Sequence, residues 1–215
     1  MASLTRKENK AVTDYLYGLT TVCYPTYYAA VNQRFTDSKR YMKGMLKQRN
    51  LDNTNQLKII LDWLIYEGRR EDFIICRNEL LMIPEYERED YIQSLNNEKK
   101  VKMSLTNQYY RRLPAENIGA FDFANCILFS RFGMKLGYFT KEEARDYMMK
   151  AALLAQNSYS SWMEYLSAYF VGLQFNNQED EEKLSSYMKY RKDFISKLIA
   201  SKYSPLHKVK WDIEI

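Results

Sequence analysis

Gly119-Ala-Phe-Asp-Phe-Ala-Asn-Cys-Ile-Leu-Phe-Ser-Arg-Phe-Gly-Met-Lys-Leu-Gly137 has apolar residues on nearly every side when wound as a helix. Phe121, Phe123, Ile127, Leu128, Phe129 and Phe132 leave it almost no polar face. A helix of that kind is buried by its neighbours all round, so a central helix is expected over 116–136, stopped at Gly137. Downstream, Thr140 with Glu143 has the spacing of a capping box and starts a helix running to about 156. Ser161 with Glu164 repeats the device for a helix carrying Trp162, Leu166, Tyr169, Phe170 and Leu173. The acids of 179–182 favour the start of a last helix by complementing its dipole. Leu184, Tyr187, Met188, Phe194, Ile195 and Leu198 line that helix to about 202. The short tail after Pro205 holds Trp211, which is expected to dock.

Upstream of the central segment, helices are expected over 6–17, from Pro25 with a face of Tyr28, Val31 and Phe35, and over 38–48. Asn53 with Gln56 caps the next helix, whose core face is Leu57, Ile60, Leu61, Leu64 and Ile65. Gly68 closes it, and helices over 71–82 and 84–95 follow. Residues 96–115 are polar and basic, with Lys99-Lys-Val-Lys and Tyr109-Tyr-Arg-Arg, and read as a long loop.

Composition agrees with helices. The 215 residues contain only 7 Gly and 4 Pro, too few for the many turns of a sandwich or barrel. The chain is long enough to bury a real core. It carries 19 Tyr, whose hydroxyls need water or a partner and whose rings suit a contact surface. Three cysteines, an odd number without CxxC spacing, argue against a disulfide framework and a structural zinc site; Cys76 and Cys126 lie in apolar surroundings and read as core. The beginning lacks an apolar signal core, and no run approaches the ~18 apolar residues of a membrane span. A cytosolic protein is expected. The net charge of +5 is uneven. Residues 1–50 hold nine Lys/Arg against three acids and residues 183–215 hold eight against three, with an acidic stretch between. If the termini pack together they make one basic surface. Nucleic-acid binding through it and through 96–112 is nonetheless the weakest of three functional readings.

Several stretches taken in order resemble a bacterial family known as domain of unknown function 1266. They are Trp63-Leu-Ile-Tyr-Glu-Gly68-Arg, Ala120-Phe-Asp122-Phe-Ala-Asn125, Gly137-Tyr-Phe-Thr-Lys-Glu-Glu-Ala144, Ser161-Trp-Met-Glu-Tyr165 and Tyr169-Phe-Val-Gly172-Leu-Gln-Phe175. The resemblance covers roughly residues 50–176 and implies a fold rather than a reaction. The chain departs from the family pattern at Arg69, where histidine is favoured, at Asn125 and Leu173, where arginine is, and at Asn176, where tryptophan is. A polar site at those positions in relatives would be altered here. The kind of family suggests an accessory or immunity-type role.

A catalytic signature is missing. The single histidine, His207, lies in the tail, and no GxxxxGK[ST] phosphate cradle is present. The candidate polar site is Asp122, with Asn125 one turn on, Arg69 and Arg131 as possible partners, and Glu142 and Glu164 as further carboxylates. On the same helix Arg131 points roughly opposite to Asp122. A carboxylate in an apolar helix must be paired or hydrogen-bonded, which explains Asp122 structurally, whereas a carboxylate in a pocket could act as acid or base. Helix caps and dipoles account for Glu142, Glu143, Asp146 and Glu164. Trp162, Tyr165 and Tyr169, with Tyr109 and Tyr110, are the candidate interface aromatics.

The expectation is therefore an all-α, single-domain helical bundle of about eight helices around one apolar helix. It comprises basic helices over 1–50, helices over 51–95, a loop over 96–115, core helices over 116–203 and a tail over 204–215. The leading function is a non-catalytic protein-interaction module with a partner of unknown identity and no cofactor, metal or membrane span; oligomeric state is open. The alternative is a small enzyme or effector domain using Asp122 and neighbouring carboxylates.

Overall fold

The computed structural model describes residues 6–113, 118–177 and 192–215, and among them every regular element is helical. The helices are α1 (Arg6–Thr20), α2 (Tyr27–Val31), α3 (Gln33–Thr36), α4 (Lys39–Lys47), α5 (Thr54–Tyr66), α6 (Gly68–Leu81), α7 (Arg88–Ser94), α8 (Asn97–Tyr109), α9 (Gly119–Leu136), α10 (Lys141–Ser158) and α11 (Trp162–Asn176). Residues 192–200 are also helical. The last-helix residues Leu184, Tyr187 and Met188, and the acids that should open that helix, lie outside the described residues.

The apolar segment forms α9, which packs against α1, α4, α5, α6, α10 and α11. Phe123, Cys126, Ile127, Leu128, Phe129 and Phe132 are all buried on it, so its lack of a polar face follows from its being surrounded. Gly137 ends α9 in the left-handed conformation, at φ 83°. The capping boxes read from sequence form only in part. Thr140 and Glu143 exchange both bonds, and Asn53 accepts from the Gln56 amide. Ser161 accepts from the Glu164 amide, but Glu164 turns back to the Ser160 amide instead.

A smaller apolar cluster lies beside the main core, built from Phe73, Cys76 and Leu80 of α6, Ile92 of α7, Met103 of α8 and Val171 and Phe175 of α11. This cluster corrects the loop expected over 96–115. Asn96 accepts from the Lys99 amide and caps α8, whose Met103 and Thr106 are buried three residues apart while its lysines are half-buried, Lys102 lying over the Phe175 ring. One narrow buried stripe on a charged helix is enough, and it lacks the strong periodicity that betrays a core helix. The Tyr28–Val31–Phe35 face is also corrected. The chain breaks at Asn32 into α2 and α3, α2 opens at Tyr27 behind a Thr26 cap rather than at Pro25, and Tyr28 and Phe35 are exposed while Ala30 and Gln33 are buried. Such breaks give more, shorter helices than expected.

The tail docks through Trp211. Its ring packs on Tyr15, Trp162 and Tyr165, and its indole N–H donates to the Tyr159 carbonyl at 2.8 Å. Trp162 in turn donates to the Val209 carbonyl at 3.2 Å. No helix among the described residues is long and apolar enough to cross a membrane.

Candidate functional site

The site is built on the corner between α5 and α6. Gly68 turns that corner at φ 71°, where an added Cβ would also run into the Asp122 carboxylate, so both backbone and space demand glycine. The first amides of α6 have no partner within their helix, and Asp122 of α9 supplies one. Its two oxygens accept from the Arg69 amide at 2.9 Å and the Arg70 amide at 3.0 Å. The Arg70 guanidinium reaches the same carboxylate at 3.3 Å and donates to the Leu64 and Ile65 carbonyls at 2.8 and 2.6 Å. It thus closes the open end of α5 while Asp122 closes the start of α6.

Asp122 is completely buried. Burial pushes its carboxyl up to about 6, with the two amides and the Arg70 guanidinium pulling it down. The charged partner is Arg70, rather than the expected Arg69 or Arg131. The adjacent pair Arg69-Arg70 was the available signal: successive residues at a helix start point different ways, one in and one out.

Arg69 is the outward one. Its guanidinium stacks over Trp63 with 5.4 Å to the ring centroid, donates to the Asn176 side-chain oxygen at 3.1 Å and pairs with Asp72 at 3.1 Å. It lies in the wall of a groove of about 530 Å³ between α4, α5, α9 and α11. Trp63, Phe121 and Tyr41 contribute half-buried aromatic surface, with the buried rings of Phe129 and Tyr169 behind them, and Arg49, Asn125 and Asn176 contribute polar groups. Asn125 donates to its own helix at the Phe121 carbonyl, 2.7 Å away. Arg69, Asn125, Leu173 and Asn176, the four departures from the family pattern, all line this one groove.

The other named residues lie elsewhere. Arg131 belongs to a second buried centre, with Asp37 at 3.3 Å, the Gln33 side-chain oxygen at 3.0 Å, the Thr20 hydroxyl at 3.2 Å and the Tyr24 hydroxyl also bonded. Glu142 is exposed in the first turn of α10, and Glu164 accepts from the Ser160 amide at 2.7 Å, which holds its carboxyl below the usual range. Neither is among the groups bonded to Asp122. Of the aromatics, Tyr165 and Tyr169 are buried and Trp162 is half-buried against Trp211, so this stripe packs inward. Tyr109 is half-buried on the smaller cluster, and the Tyr110 hydroxyl accepts from Arg88 at 2.6 Å. Cys76 and Cys126 are buried, and burial pushes both thiols up. His207 is exposed, its ring 2.7 Å from the Ile199 carbonyl. The termini do meet: Lys10, Arg34 and Lys208 line one depression, where Asp14 pairs with Lys10 at 2.6 Å.

An all-helical protein with a sealed aspartate under an aromatic groove is the class that fold and site define. A family model for proteins of unknown function, DUF1266, matches residues 50–211, and the chain belongs to that family. The match extends through the docked Trp211, beyond the motifs that end near 176. No curated protein and no solved structure matches the chain.

Proposed function

We propose that the protein is a non-catalytic binding module and that the groove beneath Trp63 receives a segment of a protein partner. One observation carries this reading: Arg69, Asn125 and Asn176 converge with Trp63, Phe121 and Tyr169 on a single open concavity. Grooves that pair aromatic surface with a few placed polar groups are where ligands seat. Asp122 has the role of a positioning residue in this reading. It fixes the backbone of Arg69 from below and has no exposed surface with which to meet a substrate. The same burial weighs against the reading of Asp122 as an acid or base.

The test places a photo-crosslinking residue at Met45, on the groove wall, in the full chain and exposes it to lysate of the source cell. A discrete crosslinked protein, lost on Trp63→Ala and retained on Phe35→Ala, is expected. Crosslinks that survive Trp63→Ala unchanged would overturn the assignment.

A further inference from the structure

We infer that the groove recognises an acidic peptide, a segment presenting a bulky apolar side chain beside a carboxylate; this rests on the binding reading above. Charge is the first argument. Arg49 and Arg69 are the only Lys, Arg, Asp or Glu side chains among the lining residues, so no carboxylate lines the groove. Arg69 shares its charge with Asp72 outside the groove. Arg49 has no carboxylate partner among the described residues. It is exposed, donates to the Met45 carbonyl at 3.1 Å, and holds its guanidinium 5.8 Å from the centroid of Phe129. A guanidinium carries five N–H donors in a fork that fits a carboxylate, so most of the donors of Arg49 remain for a ligand.

The amides supply the second argument. The Asn125 side chain uses its N–H on the Phe121 carbonyl and keeps its oxygen as an acceptor. The Asn176 side chain uses its oxygen on Arg69 and keeps its NH2 as a donor. One wall of the groove, α9, therefore offers an acceptor and the other, the end of α11, a donor. A peptide backbone presents both complements, an N–H and a C=O, at every residue, whereas a free anion presents acceptors alone. The half-buried Trp63 ring lies under the Arg69 guanidinium and the buried Phe129 ring under that of Arg49, so apolar anchor and carboxylate must be near neighbours in the ligand. About 530 Å³ suits a short stretch of side chains rather than a folded surface.

The experiment is selection from a library of random twelve-residue peptides on the full chain, followed by titration of the selected peptides against wild type, Arg49→Glu and Trp63→Ala. Arg49 is exposed and its reversal leaves the core untouched. Selected peptides should place Asp or Glu within a few residues of Phe, Trp, Leu or Met. Arg49→Glu should weaken them by about tenfold or more, and added salt should weaken them too. Peptides that lose binding on Trp63→Ala but show no acidic preference and ignore Arg49→Glu would overturn the ligand class while leaving the groove as the site. No enrichment, or binding that survives Trp63→Ala, would overturn the groove and the ligand class together.

Discussion

Asp122–Arg70 and Asp37–Arg131 are both buried arginine–aspartate pairs with 3.3 Å between the charged atoms, yet they hold different things. Asp122 and Arg70 serve the backbone: two α6 amides on one side, two α5 carbonyls on the other. Asp37 and Arg131 serve side chains, tying Tyr24, Gln33 and Thr20 to α9, with Lys135 at 3.3 Å adding a second cation. A side-chain network can be removed whole and replaced by apolar volume. Backbone groups stay behind whatever is substituted. The first pair is therefore a requirement of the helix corner, and the second is one of several ways to fill a space.

The largest effect is expected from Asp122→Ala, which strands a buried guanidinium and two amides and should cost about 3–5 kcal/mol in denaturant unfolding. Asp122→Asn keeps the shape and one acceptor and should cost less. Arg131→Met alone should cost less, about 2–3 kcal/mol, because it removes the buried cation from Asp37 but leaves Lys135 and the Tyr24 hydroxyl on it. The comparison is then decided by joint replacement. Arg131→Met with Asp37→Leu and Tyr24→Phe should recover most of that loss, whereas Arg70→Met with Asp122→Leu should not, since the corner's amides and carbonyls remain unpaired. Equal recovery in both sets would erase the distinction. Gly68→Ala comes next. The left-handed conformation alone costs about 1–2 kcal/mol for a residue with a Cβ, and the Asp122 carboxylate must also shift. Loss of the Trp63 fluorescence environment before global unfolding would localise that damage to the corner.

The two centres were also unequally legible. An aspartate inside an apolar helix announces a buried partner, so Asp122 could be singled out from sequence. Naming Arg70 required knowing which member of the Arg69-Arg70 doublet turns inward, and that is decided by the packing of α9 against the corner. The Arg131 centre gave no such cue. Gln33 and Asp37 lie in a segment whose aromatic residues suggested an inward face of Tyr28 and Phe35, and only the break at Asn32 turns Gln33 in. The central helix, its Gly137 stop and the Thr140 box were readable because each depends on local spacing. Helix α8 was not, because its burial is confined to a stripe that its lysines mask. The groove lies between these cases. Its four unusual positions are visible as departures from a pattern, but Arg69 and Asn176 are 107 residues apart, and the four meet only through the packing of α6, α9 and α11 on one another.

The smallest effect separates a buried helix-start carboxylate from an exposed one. Glu143 accepts from the Thr140 amide at 2.9 Å and from Lys58 at 3.0 Å, and these bonds hold its carboxyl down to about 2 from 4.5. A lowered acid contributes stability above its unfolded value, and that contribution is lost as pH falls from about 4.5 through 2. Asp122 runs the other way. Its carboxyl is raised from 3.8 to about 6 by burial, so the folded state takes up a proton before the unfolded state does. Its contribution is present below 3.8 and lost as pH rises through 6. Stability measured against pH should therefore respond in opposite senses to the two neutral variants. Asp122→Asn removes a component that grows as pH falls from 6 to 4, and Glu143→Gln removes one that shrinks as pH falls below 4.5. Both carboxylates receive backbone amides at the start of a helix, so a shared sign would mean that amide donation outweighs burial at Asp122. Opposite signs would mean that burial sets the state of Asp122, with the corner geometry holding it in place.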